Sequence, residues 1–88
     1  MKEILLFVMA GCPHCDLALK YQEQLLTQHP RWRDIPLKMV DETAEPDFAD
    51  GFDYYYVPTY YVGGEKVHEG HAEPSDVERV FRLAAGEE

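Results

Sequence analysis

The chain has 88 residues, 45% of them hydrophobic, and carries a formal net charge of -9. That length and apolar share predict one small globular domain around a single core, and exclude an extended low-complexity chain. The acidic balance argues against nucleic acid or an anionic membrane as partner, and no segment is long enough to span a bilayer.

Residues 3–9 open with the apolar run Ile4-Leu5-Leu6-Phe7-Val8-Met9, which predicts a first strand covered on both faces. The run is too short for a signal sequence and lacks a small-residue cleavage site, so a reducing, cytoplasmic setting is expected. Directly after it comes Gly11-Cys12-Pro13-His14-Cys15, which holds both cysteines of the chain. A helix is predicted from Pro13 to about Gln28, with Leu17, Ala18, Tyr21 and Leu25 at helical spacing. It ends before His29-Pro30, because a residue preceding proline leaves the helical region. Ile35 to Val40 reads as a second strand, closed by Asp41-Glu42, and strand–helix–strand order predicts a right-handed parallel unit. Trp32, between the two, is expected to cap the core from a loop.

Glu45 to Phe52 is acidic and weakly periodic, giving one or two helical turns on a solvated face. Val57 to Val62 and Glu65 to Glu69 form a third and a fourth strand, with Gly63-Gly64 as the hairpin turn. Pro74 to Ala85 is a last helix, apolar along Val77, Val80, Phe81 and Ala84. The fold class is therefore α/β: a four-stranded mixed sheet with helices on both faces, in the order β-α-β-α-β-β-α.

A C-x-x-C beside such a βαβ pattern points to thiol–disulfide chemistry. With Cys12 as helix N-cap, its sulfur faces the free N–H groups of His14 and Cys15, where the helix end favours the thiolate. Pro13 then falls at the first helical position, where its missing N–H costs nothing. Residues three apart share a helix face, so Cys12 and Cys15 can approach the roughly 4.4–6.8 Å Cα separation of a disulfide. A disulfide closing so short a loop adds little chain-entropy stabilisation, which makes it chemistry rather than scaffold. An imidazole at His14 stabilises the reduced form further and makes the couple more oxidising. Two competing readings use the same residues. A buried pair of small hydrophobes fits poorly with Pro-His between them. A zinc site needs four ligands; His68 and His71 are three apart, but a strand-to-loop location would not fix both on one ion, so only a half-site completed by dimerisation or a partner is open. No role is evident for His29 or His71.

These residues together resemble the thioredoxin fold in its short, glutaredoxin-sized form. The resemblance spans essentially the whole chain. It rests on Gly11-Cys12-Pro13-His14-Cys15 after the first strand, Val40-Asp41 ending the second, Val57-Pro58-Thr59 opening the third, and Gly70 after the fourth. It implies a three-layer sandwich and a thiol–disulfide oxidoreductase in which Cys12 and Cys15 react and Pro13 and His14 tune them. It also implies a cis-proline at Val57-Pro58, packed beside the redox disulfide. The Val57 backbone would then offer its N–H and C=O to an extended substrate strand, with Pro58, Gly11 and Tyr56 lining the same side. Tyr55 and Tyr56, just before the proline, are candidates for substrate contact in an aromatic rim around the redox site, whereas Tyr60 and Tyr61 are expected to fill strand positions.

The chain departs from both halves of the resemblance. Met9 stands where glutaredoxins carry a cation, and Gly70-His71-Ala72-Glu73 replaces their glutathione-holding Gly-Gly loop. Gly11 and Leu6 stand where thioredoxins have a Trp and a buried acid. No bound cofactor is therefore expected beyond the Cys12–Cys15 redox disulfide, and no metal. The implied partners are disulfide-containing proteins or low-molecular-weight thiols, with a reductase or thiol as electron donor, and a monomer is expected. Two alternatives stay open: a non-enzymatic module binding a metal or partner through the C-x-x-C, and a glutathione-dependent glutaredoxin.

Overall fold

The computed structural model describes residues 1–87. Strand β1 (Ile4–Val8) lies inside the sheet, parallel to β2 (Leu37–Asp41) on one side and antiparallel to β3 (Thr59–Val62) on the other. Strand β4 (Glu65–Glu69) pairs antiparallel with β3, giving the order β2-β1-β3-β4. The continuous apolar run of β1 follows from this position. Ile4, Leu6 and Val8 face one core, and Phe7 faces another on the opposite side of the sheet. The edge strands carry the charges: Lys38 on β2, and Glu65 and Lys66 on β4, are exposed.

The first face is covered by α1 (Pro13–Gln28) and α3 (Pro74–Ala85), which pack against each other. Cys15, Ala18 and Leu25 from α1 meet Val77, Val80, Phe81 and Ala84 from α3 over Ile4, Leu6, Tyr60 and Val62. The second face is covered by the short α2 (Pro46–Ala49), whose Ala49 packs on Phe7, Val40 and Tyr61. Phe7 lies 4.9 Å from the ring of Phe52 and 4.8 Å from that of Tyr54, so aromatic packing substitutes for a longer helix here. Helices thus lie on both faces, in the element order that the sequence predicts.

The helix bounds and the fourth strand fall where local signals put them. Proline begins α1, α2 and α3, and Gly63-Gly64 turns the hairpin with φ of 58° and 87°, which side-chain-bearing residues rarely adopt. Four expectations need correction. Leu17 is exposed, because the buried stripe of α1 runs through Cys15, Ala18 and Leu25, and one helical step rotates Leu17 about 100° away from Ala18. The second strand begins at Leu37 rather than Ile35, since Pro36 has no N–H to give a ladder. The third begins at Thr59 rather than Val57, since the Val57-Pro58 segment stays outside the ladder. Trp32 belongs to the core rather than capping it. It lies in a 3-10 helix (Pro30–Asp34), is 2% exposed and stacks on Phe81 at 5.8 Å and on His29 at 4.0 Å. Its indole N–H donates to Glu87 at 3.2 Å, which removes the cost of burying that group.

Candidate active site

The strand-to-helix junction places Cys12 at the N-cap of α1, with extended backbone (φ -96°, ψ 108°). Its Sγ accepts the N–H of Cys15 at 3.2 Å, one of the helix-end donors that otherwise lacks a partner. Gly11, just before it, has φ of 75°, and an added Cβ would meet nothing within 4 Å. The backbone twist, not crowding, calls for glycine there. Both cysteines are free thiols, and both are more enclosed than the sequence suggests: Cys12 is 7% exposed and Cys15 2%. Burial, reinforced by a hydrogen bond with the Cys12 side chain, pushes the Cys15 thiol up to about 12. A backbone hydrogen bond from Met9 offsets part of this. The two sulfurs therefore differ in kind: one caps a helix, the other is held protonated beneath it.

The segment before β3 lies against the same core. Val57 packs on the cluster that contains Cys12 and Cys15, and Pro58 is buried. The Val57-Pro58 bond is cis, as the resemblance implies. The Pro58 carbonyl accepts the Gly70 N–H at 2.8 Å, tying this segment to the loop after β4. Tyr55 and Tyr56 are 87% and 70% exposed, large apolar surface next to the segment. Tyr60 and Tyr61, by contrast, are buried strand residues, one on each side of the sheet.

Glu69 holds the tyrosine segment in place. Its carboxylate accepts the N–H groups of Tyr55 and Tyr56 and pairs with Lys66 at 2.8 Å. The Lys66 bond first, and the two backbone donors next, lower the Glu69 carboxyl to about 2 from the usual 4.5. A lowered carboxyl stabilises the loop above its ordinary pKa, and that hold is lost as pH falls toward 2. Glu69→Gln is accordingly expected to speed amide exchange at Tyr55 and Tyr56 by about tenfold at pH 7, measured by NMR, without moving the α1 amides. Unchanged exchange at those two amides would refute the anchoring role.

On the other flank of Cys12, His14 meets a residue from the far end of the chain. His14 Nδ1 and His71 Nδ1 are 3.0 Å apart, and His71 Nε2 lies 2.9 Å from Glu73 Oε1. Both His71 and Glu69 were without a sign in the sequence. The one available pointer was Gly70, which the resemblance matches after the fourth strand and which immediately precedes His71.

No protein-family model matches the chain, and no curated protein is similar to it in sequence. Solved structures do match. A malarial protein superposes with a TM-score of 0.73 over 96% of this chain and 97% of its own, at 16% identity. Mitochondrial thioredoxin 3 of Saccharomyces cerevisiae, in its oxidised form, gives 0.72 over 93% of this chain and 77% of its own, at 21% identity. This is a thioredoxin-fold protein. The first two thioredoxin domains of Saccharomyces cerevisiae Eps1p match at 0.56 and 18% identity, with 94% of this chain covering 33% of that one. Identities this low carry the fold and leave activity to the site.

Within this thioredoxin-fold protein, the sequence-derived candidates Gly11, Cys12, Pro13, His14 and Cys15 form one junction, and Val57 reaches it through the shared core. Tyr56 is placed on the surface, two residues before the buried Pro58, and its N–H is held by Glu69 rather than by a junction residue. Among the described residues, no group of three or more His, Cys, Asp or Glu side chains is placed to hold a metal ion. A cleft of about 310 Å³ opens on the α2 face between Glu42, Asp50, Phe52 and Tyr54, and its lining includes none of the junction residues.

Proposed function

We propose that the thioredoxin-fold protein is a dithiol–disulfide oxidoreductase that reduces protein or small-molecule disulfides. The observation that carries this is the asymmetry of the two thiols: Cys12 at a helix N-cap, and Cys15 buried and pushed up to about 12. A nucleophile must be available as thiolate, and a helix end favours that form. A resolving thiol must instead stay protonated until it is needed.

The steps balance as follows. The Cys12 thiolate attacks one sulfur of R–S–S–R′, forming Cys12–S–S–R and releasing R′S⁻. Cys15 gives up its proton and attacks Cys12 Sγ, releasing RS⁻ and leaving Cys12–Cys15 oxidised. Two electrons pass to the substrate, and an external thiol or a reductase returns them. The Val57 N–H and C=O take no partner in turns or loops among the described residues, which supports recognition of an extended substrate by backbone pairing. The reading extends to a monomer in a reducing, cytoplasmic setting, with no nucleic acid or membrane partner, in keeping with the net charge of -9.

The test is the midpoint potential of the metal-free protein in defined thiol buffers. A value of about -270 to -200 mV is expected of a reductant, together with catalytic reduction of a model protein disulfide. A value near about -120 mV would reverse the direction to an oxidant tuned by His14. A chain that forms no reversible disulfide and retains metal stoichiometrically would be a binding module instead. A strong preference for glutathione mixed disulfides would make it a glutaredoxin.

A further inference from the structure

The His14–His71 contact has a definite proton arrangement. Two ring nitrogens 3.0 Å apart can bond only if one donates and the other accepts. The other nitrogen of His71 faces a carboxylate oxygen of Glu73 at 2.9 Å, and a carboxylate can only accept. A neutral His71 therefore keeps its one proton on Nε2 and presents a bare Nδ1 to its neighbour. His14 must then donate its Nδ1–H. The rings meet edge-on, at 80° with centroids 5.0 Å apart, which suits an N–H···N bond rather than stacking.

The elements around the contact are held independently. His68 Nε2–H donates to the His71 carbonyl at 2.8 Å, and the Glu73 N–H donates to Asp76 at 2.9 Å at the start of α3. The loop carrying His71 is also tied through Gly70 to Pro58. The bond itself crosses the molecule, from the first turn of α1 to the loop before α3, and lies on the surface. The side chains of His71 and Glu73 are 44% and 63% exposed. An exposed contact of this kind contributes little to folding, since it exchanges one set of hydrogen bonds for water's. Its consequence falls on the orientation of the imidazole two residues after Cys12.

We propose that His71, braced by Glu73, is a positioning residue that sets the tautomer and orientation of His14 and through it the balance between the Cys12–Cys15 dithiol and disulfide. This rests on the oxidoreductase reading above. The bond commits the single proton of a neutral His14 to His71, so its other nitrogen has no hydrogen to give the Cys12 sulfur, whereas an unbraced ring can turn its N–H toward it. Loss of the brace frees that N–H to stabilise the reduced form and makes the couple more oxidising.

The test compares wild type, His71→Phe, His71→Gln and the same substitutions in a His14→Phe background, all equilibrated with glutathione buffers at one pH. His71→Phe is expected to shift the equilibrium toward the dithiol about threefold to tenfold, which is about 15–30 mV. His71→Gln should recover part of this, since its amide oxygen can accept from His14. Without the His14 ring, substitution at position 71 should change nothing. In parallel, ¹⁵N spectra should show His14 protonated on Nδ1 in the wild type and a mixture of tautomers in His71→Phe. Unchanged potential and unchanged tautomer in His71→Phe would overturn the inference, as would an equal shift without His14. If the wild type forms no reversible disulfide, the oxidoreductase reading falls, while the His14 tautomer still decides the brace.

Discussion

Cys12→Ser is expected to abolish disulfide reduction, by at least about a thousandfold, while Cys15→Ser accumulates mixed disulfides. The two outcomes follow from the places of the two sulfurs. Cys12 occupies the N-cap, its sulfur meeting a backbone N–H at the end of the helix. A serine hydroxyl fits the same cap and can accept the same bond, so the fold should survive the change. It cannot become a useful anion there, and its oxygen would have to form a bond to sulfur that no disulfide exchange uses. Turnover is lost without loss of structure, which circular dichroism would confirm. In Cys15→Ser the first step proceeds, and nothing displaces the substrate from Cys12 Sγ. Non-reducing electrophoresis and mass spectrometry should then find the substrate covalently attached. An active Cys12→Ser protein would sink the assignment of the nucleophile.

The reduced protein is expected to lose stability as pH rises above about 9, and Cys15 is the reason. Its thiol is pushed from an ordinary value of 9.0 to about 12, first by burial and then by the hydrogen bond with Cys12. A raised folded-state value means that the unfolded chain gives up this proton first. The stabilisation is complete below the unfolded value and is lost progressively as pH climbs toward the folded one. The slope approaches about 1.4 kcal/mol per pH unit within that window. The Tyr54 and Tyr60 phenols are displaced in the same direction, chiefly by burial, so wild type alone does not isolate the thiol. The comparison is with reduced Cys15→Ala, which keeps both tyrosines and Cys12. Urea unfolding between pH 8 and 10.5 should show the steeper fall in wild type, and parallel profiles would contradict the cause assigned here. The same displacement has a chemical use. One of its causes, the bond with Cys12, ends when Cys12 enters a mixed disulfide, so the resolving thiol is eased when it has a target.

Much of this architecture is written locally. Proline at the start of each helix, the Gly63-Gly64 turn and the unbroken apolar run of β1 are signals carried within a few residues, and the elements lie where those signals put them. The junction of Gly11, Cys12, Pro13, His14 and Cys15 is legible for the same reason: a cap, a proline and a three-residue spacing are properties of one short stretch. Leu17 shows the limit even within a helix. The periodicity of α1 fits two adjacent stripes, and only packing against α3 selects the one through Cys15 and Ala18.

What the chain's local patterns leave open is everything that depends on which distant segments meet. Trp32 looks like loop, yet Phe81 from α3 stacks on it and draws it into the core. Glu69 looks like one more acid at a strand end, yet the register of β3 with β4 puts Thr59 opposite it and the Tyr55 and Tyr56 N–H groups within its reach. His71 carries no motif, and 57 residues separate it from His14. Caps, turns and periodicity act over one or two turns of backbone, whereas the partners of a polar side chain are chosen by the closure of the whole sheet.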